Sequence, residues 1–268
     1  MAAMIRRLAL LATPLLLVPS QLGSATAQIS HFHRPLIAVG ANKSNNWSGY
    51  NQGTIEKSGT MFHQVSGDWA VPTATAHKRG EAEYSATWVG IGGGCVDALC
   101  LVTDSTLIQA GTEQDVNSGL APYSAWWEII PGPAVTISNM AVKAGDQMHV
   151  DITESPVNAN LWTITVQNKS TGATFKQTIP YSSTHLTAEW IEETPVVLDT
   201  KGNVSVGPLP DLSKVAITSA DANGSGAGLI SPEAIQLVDF NLNPLATPSA
   251  PLSGGTAFDV CTYSSSCT

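Results

Sequence analysis

Short runs of alternating apolar and polar residues restrict the fold of this chain more than any other feature. The segment Trp162-Thr163-Ile164-Thr165-Val166 is typical, and alternate side chains of a strand point to the same face of a sheet. Turn residues separate the runs, as at Pro131-Gly132-Pro133 and Lys169-Ser170-Thr171-Gly172. The runs are residues 60–65, 84–91, 106–111, 124–130, 134–142, 147–153, 161–168, 174–179, 187–193, 215–219, 234–241 and 256–263.

Many short strands at this spacing predict an all-β protein, either an antiparallel two-sheet sandwich or a barrel. The run ending at Glu193 also fits helical spacing, but neighbouring strands and the nearby Pro195 favour a strand. Residues 243–255 are rich in Pro, Ser and Gly. Because a strand-like run follows them, we interpret them as a long loop within one domain, residues 46–263.

The chain has few charges, which excludes several classes of partner. Only 12% of the 268 residues are charged, against about 25% in a typical soluble domain. Twelve Lys and Arg against 21 Asp and Glu give a net charge of −9. This acidic balance disfavours binding to nucleic acid or to an anionic membrane. It also predicts a fold with few paired carboxylates to lose in acid.

The first 27 residues have the pattern of a secretory signal. Arg6 and Arg7 precede an apolar run from residue 8 to residue 18, and Ala25-Thr26-Ala27 is a small-x-small cleavage site. The run is shorter than the roughly 20 residues that a membrane span needs. We therefore predict a secreted protein without membrane attachment after signal removal. Residues 28–45 are interpreted as a leader, a linker or a short pro-segment.

Four cysteines fit an oxidising compartment. Their spacing favours two local disulfides, Cys95 with Cys100 and Cys261 with Cys267, and the second would tie down residues 264–268. A four-cysteine zinc site is the competing interpretation, but neither pair has the two-residue spacing of zinc ligands.

Common catalytic signatures are missing from the sequence. It contains neither His-Glu-x-x-His nor Gly-x-Ser-x-Gly. Asp104-Ser105-Thr106 is the nearest approach to an aspartic-protease motif and lacks the glycine. The six histidines are scattered without ligand spacing, so the sequence predicts no metal site and no cofactor.

Three segments together resemble the glutamic peptidases, or eqolisins, which are secreted acid endopeptidases. They are Leu107-Ile108-Gln109-Ala110-Gly111, Ala125-Trp126-Trp127-Glu128 and Ala188-Glu189-Trp190-Ile191-Glu192-Glu193. The resemblance covers residues 46–263 and implies a β-sandwich similar to legume lectins (concanavalin-like). It implies Gln109 and Glu189 as the catalytic pair, Trp88 as a wall of the substrate cleft, and Glu128 and Glu193 as supporting groups. A surface or strand-edge role for these two glutamates is an equal alternative.

The implied pair suits peptide hydrolysis in acid. Glu189 would take a proton from water and return it to the leaving amine, and Gln109 would hold the water and stabilise the oxyanion. A carboxamide does not titrate, and a glutamate with a pKa of about 4.3 stays partly ionised in acid, where a histidine base would be protonated. The chain departs from the family at Gly92, where an Asp is usual, and in the insertion that carries Cys95 and Cys100.

Two other functions remain open at this stage. The chain could be a non-catalytic lectin-like or adhesion sandwich, which would be favoured if Gln109 and Glu189 did not face each other. It could also be a glycoside hydrolase with two carboxylates, for which Glu81 and Glu83 are the candidates. The favoured hypothesis is a monomeric endopeptidase that acts on protein or peptide substrates.

Overall fold

A computed structural model describes residues 30–198 and 202–268 of the chain. The predicted signal, residues 1–27, lies outside the described residues. The strands are β1 (Ser30–Phe32), β2 (Ala38–Gly40), β3 (Lys43–Ser44), β4 (Trp47–Gly53), β5 (Gln64–Ala70), β6 (Ala74–Thr75), β7 (Ala86–Gly92), β8 (Leu107–Gln114), β9 (Tyr123–Ile129), β10 (Val135–Thr136), β11 (Gln147–Glu154), β12 (Leu161–Asn168), β13 (Ala173–Pro180), β14 (Thr187–Glu193), β15 (Val196–Leu198), β16 (Val204–Val206), β17 (Asp211–Leu212), β18 (Val215–Ala222), β19 (Ser225–Gly226), β20 (Ala234–Val238), β21 (Pro244–Pro248) and β22 (Phe258–Thr262). One 3-10 turn, Ser231–Glu233, precedes β20.

The strands form two large, almost wholly antiparallel sheets. The front sheet has the order β10-β9-β8-β7-β14-β4-β20. The back sheet has the order β13-β12-β11-β5-β18-β22-β21-β20. Strand β20 pairs in both sheets and joins them along one edge. The predicted all-β, antiparallel two-sheet sandwich is confirmed.

Each face of the front sheet is covered. The large apolar core lies between the sheets and includes Trp69, Trp162, Trp190 and Phe258. A second apolar cluster, with Trp47, Trp88, Leu107 and Trp126 among its members, lies on the outer face of the front sheet. Because both faces of β4, β7 and β14 are covered, every residue of these strands is buried.

Most predicted runs correspond to strands, and two match them residue for residue, at Leu161–Asn168 and Thr187–Glu193. Two others are largely wrong. The run at residues 60–65 overlaps β5 only at its end, and of residues 134–142 only Val135–Thr136 is a strand. In that second segment Ile137 and Met140 are buried in the core without belonging to a strand, so their apolar character reflects packing in a loop.

The predicted long loop at residues 243–255 is also wrong in part, because it contains β21. This strand pairs with β20 and β22, and prolines stand at both of its ends. Proline donates no hydrogen bond and is tolerated at strand ends. Its presence therefore disguised a strand that the fold needs to join β20 to β22.

Residues 30–45 pack against the domain, although the sequence suggested a leader or linker. Strand β1 pairs with β15, and β2 and β3 form a short hairpin. The Asn46 side chain accepts a hydrogen bond from the backbone N–H of Ile37 (2.8 Å) and donates to the Pro35 carbonyl (3.2 Å). The alternation rule missed this segment because its strands are only two or three residues long.

Both predicted local disulfides are present, Cys95–Cys100 and Cys261–Cys267. The second ties residues 264–268 to β22. Over the described ranges, the structure has no helix long and apolar enough to cross a membrane.

Candidate active site

Gln109 and Glu189 lie on the same face of the front sheet, in one row that crosses five neighbouring strands. Adjacent residues in this row are register partners: Glu128, Gln109, Gly90, Glu189 and Asn51. Neighbouring strands are about 4.8 Å apart, so the backbones of Gln109 and Glu189 are about 10 Å apart. Gly90, which has no side chain, is the residue between them.

The space above Gly90 is narrow. A Cβ atom at this position would lie 3.2 Å from the Cβ of Gln109 and 3.0 Å from the Trp88 ring. Glycine therefore leaves the gap between the two polar side chains free of a third side chain. A water molecule or a peptide carbonyl group would need this gap to contact both residues.

Glu189 is fully buried beneath the loop that follows β7. A Cβ atom on Gly94 of this loop would lie 2.7 Å from Glu189 Oε1. Burial raises the pKa of Glu189 well above 4.5, the Thr187 hydroxyl offsets part of the shift, and the charge of Asp104 adds to it. In this closed arrangement burial favours the protonated carboxyl group over the carboxylate.

Gln109 is fully buried as well, and Glu128 holds its amide group. Gln109 Nε2 donates a hydrogen bond of 2.7 Å to Glu128 Oε2. Gln109 Oε1 is buried and has no hydrogen-bond partner in the part of the chain that the structure describes. Burial raises the pKa of Glu128 to about 7, although His33 lowers it. Glu128 therefore orients the Gln109 amide group and leaves Gln109 Oε1 available to accept a hydrogen bond.

Glu193 and Trp88 lie on the same outer face, next to the row of the candidate pair. The Trp88 Nε1 group donates to Glu193 Oε2 at 2.9 Å. The His33 ring contacts the same oxygen atom at 3.1 Å and stacks on Trp126 with 3.7 Å between ring centroids. The sequence suggested that Glu193 supports the cleft or has a surface or strand-edge role. Its side chain is fully buried and anchors the N-terminal segment, residues 30–45.

The family model for the Peptidase A4 family matches residues 45–261. The chain belongs to this family. It is accordingly a glutamic endopeptidase, as the motifs around Gln109 and Glu189 suggested. No curated protein matches the chain.

Solved glutamic peptidases share the fold. Scytalido-glutamic peptidase with a transition state analog inhibitor has a TM-score of 0.64 and 22% identity, over 81% of this chain and 98% of that chain. SCP-B, an eqolisin in a complex with the tripeptide Ala-Ile-His, has a TM-score of 0.57 and 19% identity over the same shares of the two chains. Aspergilloglutamic peptidase from Aspergillus niger has a TM-score of 0.52 and 24% identity, over 67% of this chain and 99% of that chain.

The backbone around Gly92, where the resemblance implied an Asp, leaves no room for a side chain. Gly92 has φ +97°, and a Cβ atom there would lie 2.0 Å from the Thr106 carbonyl oxygen. The backbone at Thr106, after the loop that carries Cys95 and Cys100, thus occupies the space that a side chain at position 92 would need. The same loop brings in Asp104, a buried carboxylate that accepts hydrogen bonds from the Thr106 N–H (2.9 Å) and the Thr184 hydroxyl.

In the sequence, Asp104 stands out only as part of an incomplete aspartic-protease motif, which assigns it no role. The Asp104 N–H donates to the Gly94 carbonyl at 2.8 Å, in the loop that covers Glu189. Burial is the main cause of the raised pKa of Glu189, and the charge of Asp104 adds to it. An acidic residue just before a strand that carries a candidate catalytic residue was the available signal. The spacing did not reveal that the loop folds back toward Glu189.

Glu81 and Glu83, the candidates for glycoside hydrolysis, have structural partners instead. Glu83 is buried and accepts the backbone N–H groups of His77 (2.9 Å) and Lys78 (2.7 Å). Glu81 forms a surface ion pair with Lys78. Glu83 therefore fixes the chain before β7 and does not form a pair of carboxylates with Glu81.

The fold brings two histidines together that the sequence leaves apart. His63 and His185 have no ligand spacing in the sequence, yet both contact Glu154. The three residues come from separate parts of the chain, 91 residues apart in one pair and 31 in the other, so no local motif could have revealed the cluster.

Proposed function

We propose that Gln109 and Glu189 are the catalytic pair of this peptidase, and that it cleaves protein or peptide substrates in acid outside the cell, as a monomer not attached to a membrane. The observation that carries the proposal is the row across the front sheet, in which Gly90 alone separates the two side chains. A non-catalytic sandwich has no need for an acid and an amide placed on either side of a glycine.

The chemistry needs only these two groups, one water molecule and the substrate. The Glu189 carboxylate takes a proton from the water as the water oxygen forms a bond to the peptide carbonyl carbon. Gln109 Oε1 holds the water, and the N–H of Nε2 that is not bonded to Glu128 donates to the oxyanion. One well-placed donor contributes about 3–4 kcal/mol. The tetrahedral intermediate then collapses, the C–N bond breaks, and Glu189 returns the proton to the leaving amine.

The buried state of Glu189 requires the cleft to open before the reaction. Burial is the main reason that its pKa is raised, so entry of water lowers the pKa and produces the carboxylate. We infer that withdrawal of the loop at Gly94 creates the base. Opening the cleft and generating the base would then be the same event.

Three further residues support the pair in this proposal. Glu128 orients the Gln109 amide through its hydrogen bond of 2.7 Å. Trp88 forms part of the wall beside Gly90, and Glu193 holds the Trp88 indole N–H. Glu128 and Glu193 are therefore positioning residues and need not contact the substrate.

The signal-like residues 1–27 and the two disulfides support secretion. The segment of residues 28–45 is too short to fold alone as an inhibitory prodomain. We propose that low pH itself switches the enzyme on. A secreted chain that is fully active at neutral pH would overturn this part of the proposal.

A casein digest from pH 2 to pH 7, followed by mass spectrometry of the products, tests the activity. We expect internal cleavage with a maximum in acid, and loss of cleavage in both Glu189→Gln and Gln109→Ala. Glu81→Gln is the matched control, since it makes the same change at the surface. Products that are unchanged in the two variants would refute the pair, and a correctly folded chain without any cleavage would favour the lectin-like alternative.

A further inference from the structure

His63, Glu154 and His185 form a compact cluster of metal-ligating side chains outside the candidate active site. His63 immediately precedes β5, Glu154 is the last residue of β11, and His185 precedes β14 by two residues. Glu154 Oε2 lies 2.6 Å from His63 Nδ1 and 2.9 Å from His185 Nε2. The three ligand atoms all lie within 4.8 Å of one another.

Two of the three side chains, those of Glu154 and His185, are held by groups outside the cluster. The second oxygen of Glu154, Oε1, accepts a hydrogen bond of 2.5 Å from the Asn160 N–H. The His185 ring packs near Trp162, with 5.4 Å between ring centroids. His185 has a positive φ of 62°, a conformation that non-glycine residues adopt only where the surroundings hold them in it.

The backbone around the cluster is fixed as well. The His185 carbonyl accepts the Phe62 N–H at 3.0 Å, and the His63 carbonyl accepts the Glu154 N–H at 2.8 Å. The His63 N–H donates to Asn223 Oδ1 at 2.8 Å. The two backbone bonds join the three segments independently of the ligand side chains. The ligand atoms are therefore brought together by the fold and not by chance encounters of flexible residues.

The cluster has one open side. The side chains of Glu154 and His185 are 7% and 14% exposed, whereas that of His63 is 56% exposed. A surface pocket, lined by His63, Glu154 and residues 155–157 and 159, adjoins it. Three protein ligands with an open fourth position are the arrangement of a catalytic type of zinc site, and two imidazoles with one carboxylate are a known set of zinc ligands.

We propose that His63, Glu154 and His185 bind a Zn²⁺-like divalent cation, with the fourth position open to water or to a small anionic ligand. Two imidazoles favour Zn²⁺ or a similar transition metal over Ca²⁺ and Mg²⁺, which prefer oxygen ligands. Bond lengths of about 2.0–2.1 Å in a tetrahedron require ligand atoms slightly farther apart than the present hydrogen bonds. The exposed His63 ring can make that small outward movement.

Bound metal would link β5, β11 and the segment before β14. That segment also carries Thr184, whose hydroxyl group donates to Asp104. A cation that binds only the folded chain stabilises it in proportion to the logarithm of its concentration over the dissociation constant. The expected effect is a rise in Tm, and it does not depend on the proposed catalytic pair.

Titration calorimetry of the metal-free protein with ZnCl₂ at pH 7.5 tests the site, together with the absorption spectrum of the Co²⁺-loaded protein. We expect one Zn²⁺ per chain, a raised Tm and intense visible bands typical of four-coordinate Co²⁺. His63→Ala should weaken binding at least tenfold, and His185→Ala should abolish the bands. His77→Ala is the matched control, because His77 pairs with Asp211 elsewhere on the surface.

Three results would overturn the proposal. They are no stoichiometric binding to the wild type, equal binding in His63→Ala and wild type, or an equal loss in His77→Ala. Since His63 is exposed, its alanine variant should fold even if substitution of His185 lowers stability. The two proposals can fail independently. Acid proteolysis without zinc binding would count only against the metal site, and zinc binding without acid proteolysis would count only against the catalytic pair.

Discussion

Gly90 is the residue on which the geometry of the candidate pair depends most, because it separates Gln109 from Glu189 without filling the gap. The outer members of the row, Glu128 beside Gln109 and Asn51 beside Glu189, extend the polar line across the sheet. Trp88 closes the space on one side of Gly90. At this scale the site consists of the Gln109 amide group and the Glu189 carboxyl group, with a glycine between them.

Gly90→Ala is expected to lower kcat/KM by roughly tenfold or more, since a methyl group would crowd Gln109 and displace the reacting groups. Gly67→Ala is the matched control. A Cβ atom there would also meet a neighbour at 3.0 Å, but the neighbour is Val89, a residue of the core between the sheets. The control should lose stability and retain the activity of its folded fraction. Equal activity losses per folded molecule would contradict the assignment.

At the scale of elements, the N-terminal segment lies over the outer face of the front sheet beside the candidate pair. His33 contacts Glu193 and stacks on Trp126, and the Leu36 N–H donates to the Gly93 carbonyl at 2.9 Å. Burial lowers the pKa of His33, but Glu193 and Glu113 outweigh it and raise the pKa to about 10. The segment is thus fastened by a charged contact and an apolar one.

A chain with both His33→Ala and Leu36→Ala should cleave a short peptide several-fold faster in acid, because the segment no longer covers this face. Val39→Ala, an exposed position in the same segment, is the control. The initial rates should be measured beside the Tm of each variant. A lower Tm with no change in the rate per folded molecule would show that the segment only stabilises the fold.

Local sequence patterns predict some elements of this fold and miss others. Strands β12 and β14 were predicted because their alternation and motifs are local. The packing of the N-terminal segment was not predicted, because His33 contacts Glu193, a residue 160 positions later in the sequence. Strand β21 was hidden by its prolines. Gln109 and Glu189 were found from a family resemblance; their common row depends on strand pairing that the sequence does not specify.

At the scale of the whole molecule, buried carboxyl groups link the fold to acid. Burial raises the pKa of Glu192 to about 8, although the Thr87 hydroxyl lowers it and Glu193 adds to the rise. Between pH 4.5 and pH 8 the unfolded chain loses this proton while the folded chain keeps it, so stability falls as pH rises. Glu128 acts in the same direction up to pH 7.

Asp68 acts in the opposite direction. Partial burial raises its pKa, but hydrogen bonds from Lys169 and His149 lower the pKa overall. Its contribution is therefore lost as pH falls through its folded-state pKa. Asp68 is partly exposed, so solvent screens its interactions more than those of the fully buried Glu192. Glu154 acts in the same direction as Asp68. Burial raises the pKa of Glu154, but hydrogen bonds from His63, the Asn160 N–H and His185 lower the pKa overall. That the fold keeps its stability in acid stays a prediction from the low charge content.

Glu192→Gln should raise the Tm at pH 8 by roughly 5 °C and leave it unchanged or slightly lower at pH 4. The amide retains an acceptor for the Thr87 hydroxyl, which donates to Glu192 at 2.6 Å, and removes the group that must stay protonated. Thermal unfolding at both pH values, with Glu81→Gln for comparison, measures the difference. A gain that is equal at pH 4 and pH 8 would contradict the pH argument.

The most direct measurement for the central claim is kcat/KM for a defined peptide in acid, per folded molecule. The account predicts losses of about 10²–10⁴-fold in Glu189→Gln and about 10²–10³-fold in Gln109→Ala. The controls Glu81→Gln and Gln177→Ala should retain wild-type rates, since Glu81 lies in a surface ion pair and Gln177 lies on β13 of the back sheet. A Glu189→Gln variant as active as its Glu81→Gln control would contradict the account.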